Sequence, residues 1–178
     1  MDLPVDTLAL IARFHSGLFD TCRELATRKR QTLTYTLCKV NSMKYYHGEM
    51  QPRIRLISLD LSYQDEITDV SMLKDVTTLK LTGCINITDV SELRDVTNLD
   101  LACCNGITDV SDLGNVHNLE LSVCGGITCV DALGHVPILC LAYCSALTNV
   151  SALTHVIDLD LTGCIGITDV STLGNIRY

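Results

Sequence analysis

The chain contains no tryptophan and only two phenylalanines, and aromatic residues make up 4% of its 178 residues. A core built on large rings is therefore excluded, and aliphatic side chains must supply the core, within a hydrophobic fraction of 47%. Long apolar runs are also missing, since no stretch approaches the roughly 20 residues of a membrane-spanning helix. The N-terminus lacks a basic leading region, and Arg13 interrupts its short apolar run. We therefore predict no signal peptide and no membrane segment.

Motifs that carry chemistry are absent as well. The sequence has no glycine-rich phosphate loop and no nucleophile elbow, and the 20-residue step that separates five of its cysteines is wrong for a zinc site, which needs short paired spacings. We therefore predict that the protein is not an enzyme and has no catalytic residue, no cofactor and no metal.

Basic residues are scarce over most of the chain. Residues 56–178 contain four lysines or arginines and sixteen acids, a net charge of −12, whereas residues 1–55 contain nine basic and five acidic residues, a net charge of +4. Nucleic-acid binding depends on neutralising phosphates, so the acidic part argues against a nucleic-acid partner and favours a basic protein.

What the sequence does contain is a repeat. Apolar residues recur every 20 positions, in six copies without insertion, between Leu56 and Asn175. The common pattern is V-x-x-L-x-L-x-x-C-x-x-I-T-D-V-S-x-L-x-x. Its L-x-L part predicts a short strand, and its V-S-x-L part has the three-residue spacing of a 3₁₀ turn. One repeat alone buries too little surface to fold, so we predict stacked repeats that share one core and one parallel sheet.

The run L-x-x-L-x-L-x-x-C followed by I-T-D-V-S-x-L resembles leucine-rich repeats. Its cysteine is similar to that of the repeats common in F-box proteins, and its short turn is similar to the repeats of bacterial internalins. The resemblance covers Leu56 to Asn175. It implies an α/β fold, namely a curved right-handed leucine-rich-repeat solenoid with a parallel concave sheet and 3₁₀ turns on the convex side. A helical N-terminal cap would precede it, and such a solenoid binds other macromolecules.

The predicted organisation has four parts: a helical cap over residues 1–32, a degenerate strand and loop over 33–55, six repeats over 56–175, and a truncated seventh repeat over 176–178. In the cap, L-P-x-x-x-L-x-x-I resembles the start of an F-box, which docks onto the Skp-type linker of SCF ubiquitin ligases. The docking positions implied by this resemblance are Leu3, Pro4, Leu8, Ile11, Leu18 and Cys22. The link between the two helices is shorter than in that pattern and the usual tryptophan is absent, and the alternative is that the helices only cover the first repeat.

Five of the ten cysteines share one repeat position: Cys84, Cys104, Cys124, Cys144 and Cys164. Because they belong to the apolar frame, we predict that they are buried and reduced. Reduced cysteines indicate an intracellular, cytoplasmic protein.

His135 and His155 also share a repeat position, but no third metal ligand stands in register with them. The acids Asp69, Asp89, Asp109 and Asp169 precede the 3₁₀ turns, and we predict that they cap the free amides of those turns.

The outward positions of the strands form the predicted concave face. Each repeat contributes three: the residue before the first leucine, the residue between the leucines, and the residue after the second, which is Ser62, Thr82, Ala102, Ser122, Ala142 or Thr162. The middle position is acidic in most repeats. These acids either keep the protein soluble or form a groove for a basic peptide. In the fifth repeat apolar residues interrupt the polar face. They could form a protein contact, reflect sequence drift in one repeat, or be covered by another copy of the chain. The partner-binding residues that we predict are Asp60, Lys80, Asp100, Glu120, Ile138, Cys140, Tyr143 and Asp160.

We therefore predict a non-enzymatic protein-interaction module. One alternative is an F-box-type substrate receptor of an SCF ubiquitin ligase, and a second is a self-associating structural protein. In the sixth repeat, no further coil is available to cover Leu159, Leu161, Val170 and Leu173. This predicts a homodimer through the C-terminal end.

Overall fold

The computed structural model describes residues 34–37 and 55–174, with side-chain surroundings from residue 58 onward. The predicted helical cap with its F-box-like positions, the loop before the repeats, and the truncated seventh repeat lie outside the described residues. Within the described residues, no helix is long and apolar enough to cross a membrane.

Seven strands form one sheet in chain order, and every neighbouring pair is parallel. They are β1 (Thr34–Leu37), β2 (Arg55–Asp60), β3 (Thr78–Lys80), β4 (Asn98–Asp100), β5 (Asn118–Glu120), β6 (Ile138–Cys140) and β7 (Asp158–Asp160). From β2 onward, each residue pairs with the residue 20 positions later, as Leu59 does with Leu79. The register shifts only between β1 and β2, at Tyr35 and Thr36. Each 20-residue repeat therefore adds one strand to the sheet, in the same register as the strand before it.

Short 3₁₀ segments alternate with the strands. They are Ser71–Leu73, Ser91–Leu93, Ser111–Asn115, Asp131–Leu133 and Ser171–Leu173. The predicted 3₁₀ turn of the fifth repeat is wrong, because residues 151 and 152 form an ordinary turn. The Leu153 amide still donates to the Val150 carbonyl at 3.0 Å. One such bond makes a single turn, whereas a 3₁₀ segment needs two adjoining bonds of this kind.

The repeat frame forms one continuous core. The described apolar frame positions of the first five repeats are buried, whereas Ile85, Val123 and Ile138 lie outside the frame and are exposed. The same core includes Leu159 and Leu173 of the sixth repeat. Parallel strands, 3₁₀ turns and a shared core define a leucine-rich-repeat-like solenoid. The prediction that Leu159 and Leu173 lack cover is wrong, because both pack within this core. Val170 is 45% exposed, however, and Leu161 is only partly buried.

The cysteine column is buried and free, as predicted. Each thiol donates a hydrogen bond to a leucine carbonyl of the preceding repeat, for example Cys104 Sγ to Leu81 O at 3.1 Å and Cys124 Sγ to Leu101 O at 3.2 Å. These bonds join successive repeats, and they give Leu81 and Leu101 a second donor besides the backbone amide three residues later in the same repeat.

The predicted capping acids also make their bonds. In five repeats, a serine amide donates to the side-chain oxygen of the residue two positions earlier, at 2.8–2.9 Å; the acceptors are Asp69, Asp89, Asp109, Asn149 and Asp169. The serine amide stabilises the ionised carboxylate and so lowers the pKa of each of the four aspartates, as Ser111 does for Asp109.

Candidate protein-interaction surface

We define the sheet face as the exposed positions of β2–β7 together with the residue that turns the chain after each strand. The leucine in the centre of each strand is buried, so its two neighbours point to the opposite side. The first column is Ser58, Thr78, Asn98, Asn118, Ile138 and Asp158; the middle column is Asp60, Lys80, Asp100, Glu120, Cys140 and Asp160; the turn column is Tyr63, Gly83, Cys103, Val123, Tyr143 and Gly163. The structure thus brings the predicted partner-binding residues together on one face.

The carboxylates of the middle column are held by their own backbone. The amide two residues later donates to each: Ser62 to Asp60 at 3.0 Å, Ala102 to Asp100 at 3.1 Å, Ser122 to Glu120 at 2.9 Å, and Thr162 to Asp160 at 2.8 Å. The hydroxyl and amide of Thr162 lower the pKa of Asp160. Sequence reasoning considered solubility and partner binding for these acids and missed this structural role, which the short spacing to the end of the strand indicates.

No cation neutralises these carboxylates within the described part of the chain. The ion pair found there joins Arg94 to Asp112 at 4.0 Å, both on the 3₁₀ side of the repeats. Lys80 stands in register between Asp60 and Asp100 but is not within ion-pair distance of either. The sheet face therefore presents oriented negative charge.

The third outward position was predicted wrongly. Ser62, Ala102 and Ala142 are buried, and among the equivalent residues only Thr162 is exposed. The strands end one residue earlier than the L-x-L pattern suggests, and the chain then turns back toward the core. These side chains consequently lie beneath the turn instead of on the sheet face.

The turn column has left-handed backbone geometry in every repeat. The φ angle is 71° at Gly83 and Gly163, and it is 60–61° at Tyr63, Cys103, Val123 and Tyr143. This conformation is favourable for glycine and costs other residues roughly 1–2 kcal/mol. Valine is the least suited of these, because its branched Cβ crowds the backbone.

The rings of two tyrosines in this column pack against the two glycines of the column. A Cβ at Gly83 would lie 2.6 Å from Cδ1 of Tyr63, and a Cβ at Gly163 would collide in the same way with the ring of Tyr143. Each ring therefore occupies the space beside the glycine of the following repeat, with its Cδ1 and Cε1 atoms nearest. The missing side chain at Gly163 leaves room for the ring of Tyr143 beside β6 and β7.

An apolar patch lies at the fifth and sixth repeats, partly on the sheet face and partly at its edge just before β7, and we define it as Ile138, Cys140, Tyr143 and Ile157. Ile138 is 39% exposed, Tyr143 59% and Ile157 66%. Sequence reasoning missed Ile157, whose amide donates to the carbonyl of Pro137, the residue before Ile138, at 2.9 Å. The patch therefore spans two repeats and is larger than predicted.

Cys140 is a poor nucleophile. Burial, together with the carboxylates of Glu120 and Asp160 on either side, raises the pKa of its thiol to about 12. Its Sγ lies 3.9 Å from Asp160 Oδ2. A thiol that stays protonated at neutral pH packs as an apolar group.

We expect Val123→Gly to stabilise the protein by about 1 kcal/mol. The substitution relieves the left-handed strain, and the relief exceeds the entropy that glycine adds to the unfolded chain. Val123→Ala is the control, since it removes the branch but keeps a Cβ, and it should give a smaller gain. Urea denaturation measures both, and a loss of stability in Val123→Gly would contradict the strain assignment.

No protein-family model and no curated protein matches the chain. Among solved structures, the chain is similar to the functional domain of InlJ from Listeria monocytogenes, which is described as including a cysteine ladder. The sequence identity is 17% and the TM-score is 0.40. The match covers 81% of this chain and 38% of that chain, so this chain spans well under half of that structure's length.

Proposed function

We propose that the protein is a non-enzymatic interaction module that binds a basic protein segment across its sheet face. The observation that carries this proposal is the exposed apolar patch beside a column of oriented carboxylates, to which no cation among the described residues is paired. Apolar centres with polar surroundings are typical of protein-binding surfaces, and the charge supplies partner selectivity and faster association.

The dimensions of the face suit an extended segment. Six strands spaced about 4.8 Å apart span roughly 24 Å across β2–β7. A segment lying across the strands meets Asp100 and Glu120, which are register partners, and then the apolar patch. We infer that its basic side chains meet the acids and that an apolar side chain contacts Ile138, Tyr143 and Ile157.

Affinity capture with the intact chain tests the proposal. A variant with Ile138→Asp and Ile157→Asp should lose the proteins that the natural chain captures, whereas Met72→Asp should retain them, because Met72 is an exposed apolar residue on the 3₁₀ side. If both variants capture the same proteins as the natural chain, the sheet face is not the binding surface.

The charge contribution is tested separately on a captured partner. Asp100→Lys with Glu120→Lys should weaken binding by tenfold or more at low salt and reduce its salt dependence. Glu92→Lys with Asp112→Lys makes the same change in net charge on the 3₁₀ side and is the control. Equal losses in the two variants would show that only net charge matters.

Two further hypotheses stay predictions. The F-box-like role depends on residues outside the described part of the chain, and co-precipitation with a Skp-type protein tests it.

Self-association is favoured by the sixth repeat, where Val170 and Ile165 are exposed. We expect light scattering to show concentration-dependent mass that Ile165→Lys with Val170→Lys abolishes, and a monomer at tens of micromolar would contradict self-association.

A further inference from the structure

We propose that His135 and His155 together bind one divalent transition-metal ion of the Zn²⁺ and Ni²⁺ type. The two histidines occupy the same position in the fourth and fifth repeats, on the turns that lead toward β6 and β7, and both are exposed. Their ring centroids are 4.8 Å apart and their planes are inclined by 34°. Neutral imidazoles are the nitrogen ligands that these metals prefer.

The ring separation fits a shared ion. A ring nitrogen binds Zn²⁺ at about 2.0–2.1 Å, which places the ion roughly 3.2 Å from the ring centroid. Two imidazoles that meet at one ion at angles of about 90–110° then have centroids roughly 4.5–5.2 Å apart. The observed separation lies within this range, so both rings can reach one ion without a change in their spacing.

The backbone holds the two turns together. Gly134 precedes His135, and a Cβ on this glycine would collide with the Ala152 carbonyl oxygen of the next repeat. The absence of that Cβ lets the turn of the fifth repeat approach closely. The histidines therefore project from two segments in direct contact, which lowers the entropy lost when both bind one ion.

Thr154 provides the outer contact that a metal-binding histidine uses. Its Oγ1 lies 3.0 Å from Nδ1 of His155. When Nδ1–H donates to this hydroxyl, the lone pair of Nε2 is available for a metal, and the ring orientation is fixed. Among the described residues, no group of three or more histidines, cysteines or acids forms a metal site. Water or donors of a bound partner would thus complete the coordination, and the site is weaker than a four-ligand structural site.

Isothermal titration of the intact chain with Zn²⁺, and separately with Ni²⁺, at pH 7.5 tests the proposal. The titrations use a Cys129→Ala background, because Cys129 is an exposed thiol. We expect one ion per chain. His135→Asn, His155→Asn and the double variant should each reduce the affinity by at least tenfold and to a similar extent, because one remaining imidazole cannot chelate. His117→Asn, at an exposed histidine outside the pair, should leave binding unchanged.

Two further readouts identify the chelate. Thr154→Val should weaken binding by about 10-fold or more if the hydroxyl orients His155. Lowering the pH to 5.5 should also weaken binding, since protons compete with the metal ion for the ring nitrogens. Far-UV circular dichroism confirms that each variant is folded. One ion retained by the double variant, half of the sites lost in each single variant, or no binding at millimolar metal would each overturn the proposal.

Discussion

At pH 10 the free energy of unfolding is expected to be several kcal/mol lower than at pH 8, because the cysteine column resists ionisation. Burial raises the pKa of Cys104 and Cys124 from 9.0 to about 12, and that of Cys144 to about 11. The pKa values of Cys84 and Cys164 are also raised by burial. Each thiol stays protonated in the folded state at a pH where it ionises in the unfolded chain.

The direction of the effect follows from proton binding in the two states. Below about pH 9 both states hold the thiol proton, and the contribution of the column to stability is fully present. As the pH rises from 9 toward 12, the unfolded chain releases protons that the folded chain retains, so unfolding becomes easier. Each fully buried thiol then costs about 1.4 kcal/mol for every pH unit above its unfolded pKa.

A variant with Cys104→Ser and Cys124→Ser isolates this effect from the titration of tyrosine and lysine. Serine keeps a hydrogen-bond donor to Leu81 and Leu101 but does not ionise in this range. Urea denaturation at half-unit steps between pH 7.5 and 10.5 should give a smaller decline for the variant, by about 2.8 kcal/mol at pH 10. Parallel pH profiles would show that the thiols titrate normally and that the column is open to solvent.

The repeat explains why much of the fold was predictable. A constant 20-residue step with no insertion leaves one register for stacking. That register places the described leucines of the frame in the core, with Leu161 only partly buried against it. The capping aspartates were predictable for the same reason, because a short polar side chain before a turn has few other partners.

The turn after each strand was not predicted from the sequence, because its backbone angles are ones that the residues found there disfavour. Tyr63 and Val123 adopt left-handed angles that their types disfavour, so no local signal indicates the turn. Ala102 and Ala142 are buried by that same turn. In each case the neighbouring repeats impose a conformation that the sequence of a single repeat does not indicate.

The candidate surface was predictable in position but not in character. The alternation of L-x-L placed Asp100 and Glu120 on the face, as observed. Their bonds to their own backbone follow from the short spacing to the end of the strand, but the L-x-L pattern places that end one residue too late. The histidine pair has a similar limit, since a shared repeat position implies neighbouring histidines but not a ring separation of 4.8 Å.

The same substitution at two equivalent glycines is expected to change stability in opposite directions. Gly134 and Gly174 each end a 3₁₀ segment with nearly the same backbone angles, φ −58° and ψ −17° against φ −55° and ψ −8°. Lys74 and Arg94 adopt similar angles at this position in the first two repeats, so the conformation itself does not require glycine. Only the surroundings differ: a Cβ at Gly134 collides with the Ala152 carbonyl, whereas a Cβ at Gly174 has no atom within 4 Å.

Gly174→Ala should therefore raise the free energy of unfolding by about 0.4–1 kcal/mol, because alanine restricts the unfolded chain without strain in the folded one. Gly134→Ala gains the same entropy, but a backbone oxygen cannot rotate away as a side chain can, and the two turns must separate. We expect a net loss of about 1–3 kcal/mol for Gly134→Ala. Urea denaturation of both variants at pH 7.5 provides the comparison. If Gly134→Ala stabilises the protein as much as Gly174→Ala does, the fourth and fifth repeats are not packed at this point as closely as the structure has them.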